Sequence, residues 1–229
     1  MKWAVVVFPG SNCDHDAAQA VRDVTGDMVD LVWHDVTDLA AYDAIILPGG
    51  FSYGDYLRSG AIARFSPAVD AVAKEAAAGK LVLGICNGFQ VLTESHLLPG
   101  ALLRNDHLQF RCETVELIVE NHTSPFTCAY RPGERIRIPI AHGEGRYYAD
   151  ETLRQRLAAD GRIAFRYADN PNGSVDAIAG VLNDRGNVLG LMPHPERAVA
   201  AWMTSQDGRL LFESMHRFVE EGSYARANA

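Results

Sequence analysis

The sequence predicts an α/β fold: a mostly parallel central sheet with helices on both faces, extended by antiparallel strands in the second half. Two observations predict it. In the first half, short apolar runs alternate with helix-like segments of about a dozen residues, the pattern of right-handed βαβ crossovers in a sheet covered on both sides. From Thr114 onward the period changes, and segments such as Arg135-Ile136-Arg137-Ile138 alternate polar with apolar, which suits half-exposed antiparallel strands.

Trp3 to Phe8 reads as the first strand, closed by Pro9-Gly10. Ser11 is the expected cap of a helix over Asp14–Val24, whose first turn carries Asp14 and Asp16 where the helix dipole favours negative charge. Val29–Trp33 and Ala44–Leu47 read as two more strands. Ser66-Pro67 opens a helix with Val69, Val72, Ala73 and Ala76 on its apolar face, and Gly79 ends it. A strand over 81–85 leads into a helical spacing at Phe89, Val91 and Leu92. The second half adds strands at Thr114–Val119, Arg135–Ile140, Ile163–Tyr167 and Val188–Met192. A last helix over Ser205–Glu220 is expected to turn Leu211, Met215, Phe218 and Val219 inward. No linker, repeat or low-complexity segment interrupts residues 1–229, which read as one domain.

Composition excludes several functions. A net charge of −8 offers no footprint for a nucleic-acid backbone or an anionic membrane surface, so neither is an expected partner. No run of about 18 apolar residues occurs, and the apolar run Ala4–Phe8 is too short for a signal segment, so the expected location is cytoplasmic. Cys13, Cys86, Cys112 and Cys128 show neither CxxC spacing nor pairing with histidine at zinc-ligand spacing, so free thiols and no structural metal are expected.

The stretch Gly84-Ile85-Cys86-Asn87-Gly88-Phe89-Gln90 places a cysteine at a strand-to-helix corner between two glycines. Residues without side chains let the backbone turn sharply there and lift a nucleophile out of the fold, and the helix N-terminus favours a thiolate. A thiol nucleophile needs a base, and the base needs a holder. His194 in Met192-Pro193-His194-Pro195-Glu196 has one, because residues i and i+2 of an extended segment point the same way and Glu196 can orient the ring. Cys86 and His194 both lie just past C-terminal strand ends, the edge where ligands bind in open parallel sheets. The strand ending at Leu47 is followed by Pro48-Gly49-Gly50, where a bare backbone can approach a ligand. The N–H groups of Gly50 and Asn87 are the candidate oxyanion donors.

Pro-Gly-Gly near residue 50, GxCxGxQ near 86 and His-Pro-Glu near 194, in that order, resemble the class I, triad-type glutamine amidotransferases, whose fold is flavodoxin-like. Phe8–Asp14 (FPGSNCD), Gly49–Ala63, Gly84–Gln90, Ala141–Tyr147 (AHGEGRY) and Met192–Arg197 narrow the resemblance to the glutaminase subunits of phosphoribosylformylglycinamidine synthases. The resemblance implies that Cys86 attacks the side-chain amide of glutamine, that His194, held by Glu196, moves the proton that releases ammonia, and that Gln90 contacts the bound glutamine. The partners it implies are a separate synthetase subunit together with a small bridging subunit. The chain has neither GxxxxGK[ST] nor GxGxxG, so it is expected to hold no cofactor, with ATP and magnesium on the synthetase. His142 and Gly143 are candidates for the glutamine pocket; Asp55, Tyr56 and Arg58 read as a solvated loop or a partner contact; Cys13 reads as structural. His15 stands where the family is expected to carry a basic residue more often. The alternatives are another triad glutamine amidotransferase, a related thiol hydrolase, which would keep the elbow cysteine without needing Gln90, and a non-enzymatic flavodoxin-like binding module.

Overall fold

The structure is a computed structural model and describes residues 1–227. The strands expected in the first half are present as β1 (Lys2–Val7), β2 (Met28–Trp33), β3 (Ala44–Leu47) and β4 (Leu81–Ile85), with α1 (Asp14–Thr25) and α2 (Pro67–Ala77) between them. They pair in parallel in the order β2-β1-β3-β4. The crossover from β1 to β2 runs opposite to that from β3 to β4, so right-handed connections put α1 and α2 on opposite faces. β3 and β4 are buried along their whole length, as central parallel strands must be, whereas β2 at the edge leaves Leu31 and Trp33 exposed.

The second half builds α3 (Asn87–Glu94), β5 (Ala101–Leu103), β6 (Arg111–Val119), β7 (Arg135–His142), β8 (Arg146–Tyr148), α4 (Glu151–Ala159), β9 (Ile163–Tyr167), β10 (Ile178–Leu182), β11 (Val188–Leu191) and α5 (Arg209–Ala227). The nine-stranded sheet continues as β4-β11-β10-β9-β6-β7, parallel at β4/β11 and antiparallel beyond; β5 and β8 form a separate pair. The α/β architecture read from the sequence is therefore the one observed. Among the described residues no helix is long and apolar enough to cross a membrane.

Two features of this topology create the site. β11 inserts beside β4 with Leu191 opposite Ile85, so the chain leaving β11 emerges next to Cys86, whose amide donates to Leu191 O at 2.8 Å. β6 pairs with β7 along nearly its full length, from Arg111 opposite His142 to Ile118 opposite Arg135, but with β9 only at Leu117–Val119. The free part of this ribbon folds over the sheet edge and brings Pro139 O to within 2.8 Å of the His194 amide, which donates to it.

Three local expectations are corrected. Cys13, not Ser11, precedes α1, and Ser11 Oγ instead bonds within the loop, 3.0 Å from Phe8 O and 2.7 Å from Asp14 Oδ2. The last helix starts at Arg209 rather than Ser205, because Ser205 Oγ donates to Arg137 O and Asp207 Oδ2 accepts from Arg137 N, so these residues cover the edge of β7. Phe218 is exposed, and the helix buries Leu211, Phe212 and Met215 instead.

Candidate active site

Cys86 is held by the elbow the sequence implied. It has φ 49° and ψ −104°, a conformation that L residues avoid and that persists where the surrounding structure enforces it. Gly88 makes the corner possible: a Cβ there would lie 1.9 Å from Leu47 O, so only glycine lets α3 start this close to β3. Cys86 Sγ lies 3.7 Å from Ala141 O of the overhanging ribbon.

His194 is buried, and its Nδ1 lies 2.6 Å from Oε1 of the equally buried Glu196. Since the carboxylate accepts, Nδ1 carries a proton; among the described residues Nε2 and Glu196 Oε2 have no hydrogen-bond partner. Burial lowers the pKa of the ring, but the Glu196 carboxylate, then the neighbouring Cys86 and Cys13 thiols, outweigh it and raise the pKa well above the ordinary value. The ring therefore favours the imidazolium, the form that donates a proton to a leaving amine.

A cavity of about 290 Å³ opens beside the thiol, lined by Gly50, Asp55, Cys86, Gln90, His142 and Glu144 among others. Gly50 has φ 135°, and a Cβ on it would lie 2.6 Å from Asn12 N, which confines the position to glycine. Asn87 opens α3, so its amide belongs to the first turn, which has no intrahelical partner. Its side chain ties down the loop after β3: Oδ1 accepts from Ser52 N at 3.1 Å and from Ser52 Oγ, and Nδ2 donates to Asp55 Oδ1 at 3.1 Å and Gln90 Oε1 at 2.9 Å. Gln90 lines the cavity, yet its amide is already engaged, donating from Nε2 to Glu144 O at 2.8 Å.

His142 and Gly143 also line the cavity. The amide of Asn105 donates to Gln109 O and His142 O, so its Oδ1, 3.1 Å from His142 Nδ1, must accept the ring proton. Nε2 of His142 is left as a buried acceptor without a partner among the described residues. Burial, followed by the charge of His194, lowers the His142 pKa to about 4, so the ring is neutral near pH 7.

Sequence reasoning missed three features. Asp55 is a cavity residue rather than a solvated one; burial raises its pKa, and hydrogen bonds from Ser59 and Asn87 oppose the rise. Tyr56 and Leu57 are exposed, while Arg58 forks onto Glu94 at 2.8 and 2.6 Å. Glu144 was visible only as part of a glycine-rich turn. Cys13, read as structural, is buried against the site: one donor atom each of Cys13, His194 and Glu196 lies within 4.8 Å of the others, and Arg197 Nη2 donates to Cys13 Sγ at 3.0 Å. The available signal was its place after β1, at the strand edge shared with Cys86. His15 is exposed on the first turn of α1.

A family model for the CobB/CobQ-like glutamine amidotransferase domain matches residues 1–219. The chain belongs to this glutamine amidotransferase family. The amidotransferase is 50% identical to a chain in the structure of PurLQS from Thermotoga maritima, with 95% of this chain and 98% of that one covered and a TM-score of 0.88. Two more distant structures show the shared fold. One is a GMP synthase subunit from Thermoplasma acidophilum at 18% identity, covering 99% and 98% with a TM-score of 0.68. The other is a glutamine amidotransferase from Thermotoga maritima at 14% identity, covering 100% and 84% with a TM-score of 0.59.

Proposed function

We propose that this amidotransferase is the glutaminase subunit of a phosphoribosylformylglycinamidine synthase, hydrolysing glutamine to glutamate and handing the ammonia to a synthetase subunit. The observation that carries the chemistry is a cysteine at a strained elbow facing a glutamine-sized cavity, beside a buried His194–Glu196 pair. The 50% identity over almost the whole of both chains supports the choice of complex.

Cys86 Sγ attacks the side-chain carbonyl carbon of glutamine. The N–H groups of Gly50 and Asn87 receive the oxyanion, His194 gives a proton to the departing nitrogen, and ammonia leaves a thioester. Water then adds with His194 as base, and glutamate departs. Cys86 rather than Cys13 is the nucleophile, because Cys86 lines the cavity and occupies the elbow, whereas Cys13 has ordinary backbone angles and accepts from Arg197. Asp55 and Glu144 place two carboxylates where the ammonium of glutamine needs partners. His142 and Gly143 shape the wall, and Gln90 braces the turn that presents it.

The ligase step belongs to the partner, with ATP and magnesium there and no cofactor in this chain. Phe51, Tyr56, Leu57, Leu108 and Phe110 are exposed, and Phe51 and Phe110 line the cavity, so its rim is an apolar surface suited to the synthetase and the small bridging subunit. In the reconstituted complex, Cys86→Ala should stop glutamine-dependent formation of formylglycinamidine ribonucleotide while ammonium salts restore it. Failure of ammonium to rescue an intact synthetase overturns the division of labour.

A further inference from the structure

The loop after β1, Pro9–Cys13, takes no part in the chemistry above, yet it is laid along the turn that carries Gly50. Cys13 N donates to Gly49 O at 3.3 Å, Phe51 N donates to Gly10 O at 3.1 Å, Tyr53 N donates to Pro9 O at 2.6 Å, and Ser11 pairs with Gly50 as an isolated antiparallel bridge. A Cβ on Gly49 would lie 2.7 Å from His194 Cε1 and 3.2 Å from Cys13 Sγ, so the turn, the His194 ring and the Cys13 thiol meet at one glycine.

Arg197 ties these segments together. Its backbone N donates to His194 O at 3.1 Å, and its side-chain Nη2 donates to Cys13 Sγ at 3.0 Å. Nε lies 3.6 Å from Asp16 Oδ2 on α1 and 3.9 Å from Glu196 Oε1. The Cys13 S–H donates to Asn12 Oδ1 at 3.4 Å, which leaves the sulfur lone pairs for the guanidinium. A planar fork with several donors can serve a sulfur and carboxylates on separate elements at once, which a single ammonium does less well. Arg197 lines a cavity of about 450 Å³ that shares no residue with the wall of the cavity beside Cys86, so it acts through its neighbours rather than on glutamine.

We propose that Arg197 is a positioning residue for glutamine hydrolysis, and that through the Cys13 thiol it fixes the Gly49–Gly50 turn relative to the His194–Glu196 pair. The proposed oxyanion donor Gly50 and the proton shuttle His194 lie on segments far apart in sequence, and the Arg197–Cys13 contact sets them in one register. Cys13 serves as an acceptor, and no bond to it forms or breaks. The catalytic consequence rests on the glutaminase reading, whereas the coupling of the two segments does not.

The test uses the full-length chain, alone for spectroscopy and reconstituted with its synthetase complex for kinetics. In Arg197→Ala the backbone amide NMR signals of Gly49 and Gly50 should move, which reads the coupling without any reaction. The kcat for glutamate release should fall by roughly 10–100-fold with KM nearly unchanged, because the misplaced groups act on the transition state rather than on bound glutamine. Guanidinium at a non-denaturing concentration should recover part of that loss and leave wild type unaffected, which a generally loosened fold would not do. Cys13→Ala should be slower than wild type, and Cys13→Ala/Arg197→Ala no slower than Arg197→Ala, since both changes break the same contact. Should Arg197→Ala fail to fold by circular dichroism, Cys13→Ala alone must move the two glycine signals and lower kcat. Unmoved glycine signals, or losses that multiply in the double variant, overturn the coupling. Moved signals with unchanged kcat, a loss carried by KM instead, or no recovery with guanidinium overturn the positioning role. A wild-type complex that releases no glutamate overturns the glutaminase reading, and the glycine signals then decide the coupling by themselves.

Discussion

His194 Nδ1 and Glu196 Oε1 lie 2.6 Å apart in a buried pair whose members are two residues apart in sequence. The expected extended spacing is replaced by a single 3-10 turn over Pro195–Arg197, entered from His194 at φ −103° and ψ 85°, and this turn carries Glu196 next to the ring. Glu196 fixes the ring with Nδ1 protonated and stabilises the imidazolium.

Replacing Glu196 by Gln should therefore slow glutamine turnover by roughly 10²–10⁴-fold without abolishing it, because the amide can still hold the ring but does not supply the charge. Steady-state glutamate release measures this. His194→Ala should be slower still, and wild-type turnover in Glu196→Gln would reduce Glu196 to a turn residue.

Asn87 separates backbone from side-chain function. Asn87→Ala keeps the backbone amide proposed as an oxyanion donor but releases Ser52 and Asp55, the anchors of the loop after β3. A fall in kcat/KM of roughly 10–100-fold with unchanged circular dichroism is expected, since three hydrogen bonds of about 0.5–1 kcal/mol each position that loop. Unchanged kcat/KM would show that the loop holds itself.

Gly88→Ala tests the elbow as packing. Its Cβ would meet Leu47 O at 1.9 Å, so α3 must move off β3, at a cost of ~3 kcal/mol. Urea unfolding reads the loss directly; a change within about 0.5 kcal/mol would show that the corner relaxes freely.

Acid stability reports on His142. Its pKa falls from 6.5 to about 4 on folding, because burial and then the His194 charge disfavour the imidazolium. Between those values the unfolded chain binds the extra proton, so the stabilisation is fully present above pH 6.5 and is lost as pH falls toward 4, about 3 kcal/mol in all. His142→Asn, which keeps a donor toward Asn105, should lose less stability than wild type between pH 7 and 4.5. Equal losses in urea titrations would contradict the neutral, buried ring.

The elbow, the Pro-Gly-Gly turn and the His-Pro-Glu segment were legible in the sequence because each is a local backbone device with distinctive residues. α4 was not, since Glu151–Ala159 is largely polar and buries only Leu157, and its helix is set by Asp150 Oδ1 accepting from Leu153 N. β10 (IAGVL) carries no alternation because it is buried on both faces. The placement of Cys13 against His194, of Asp55 and Glu144 in the cavity, and of Asn105 behind His142 depends on contacts between residues far apart in sequence, which no local pattern encodes.

Two thiols approach His194, and the proposed chemistry runs through Cys86 alone. The decisive measurement is peptide mapping by mass spectrometry after treatment with a glutamine-like electrophile, with and without excess glutamine. The label should appear on Cys86, in proportion to lost activity and suppressed by glutamine, with Cys13 unmodified. Activity-linked, glutamine-protected labelling of Cys13 would contradict the assignment.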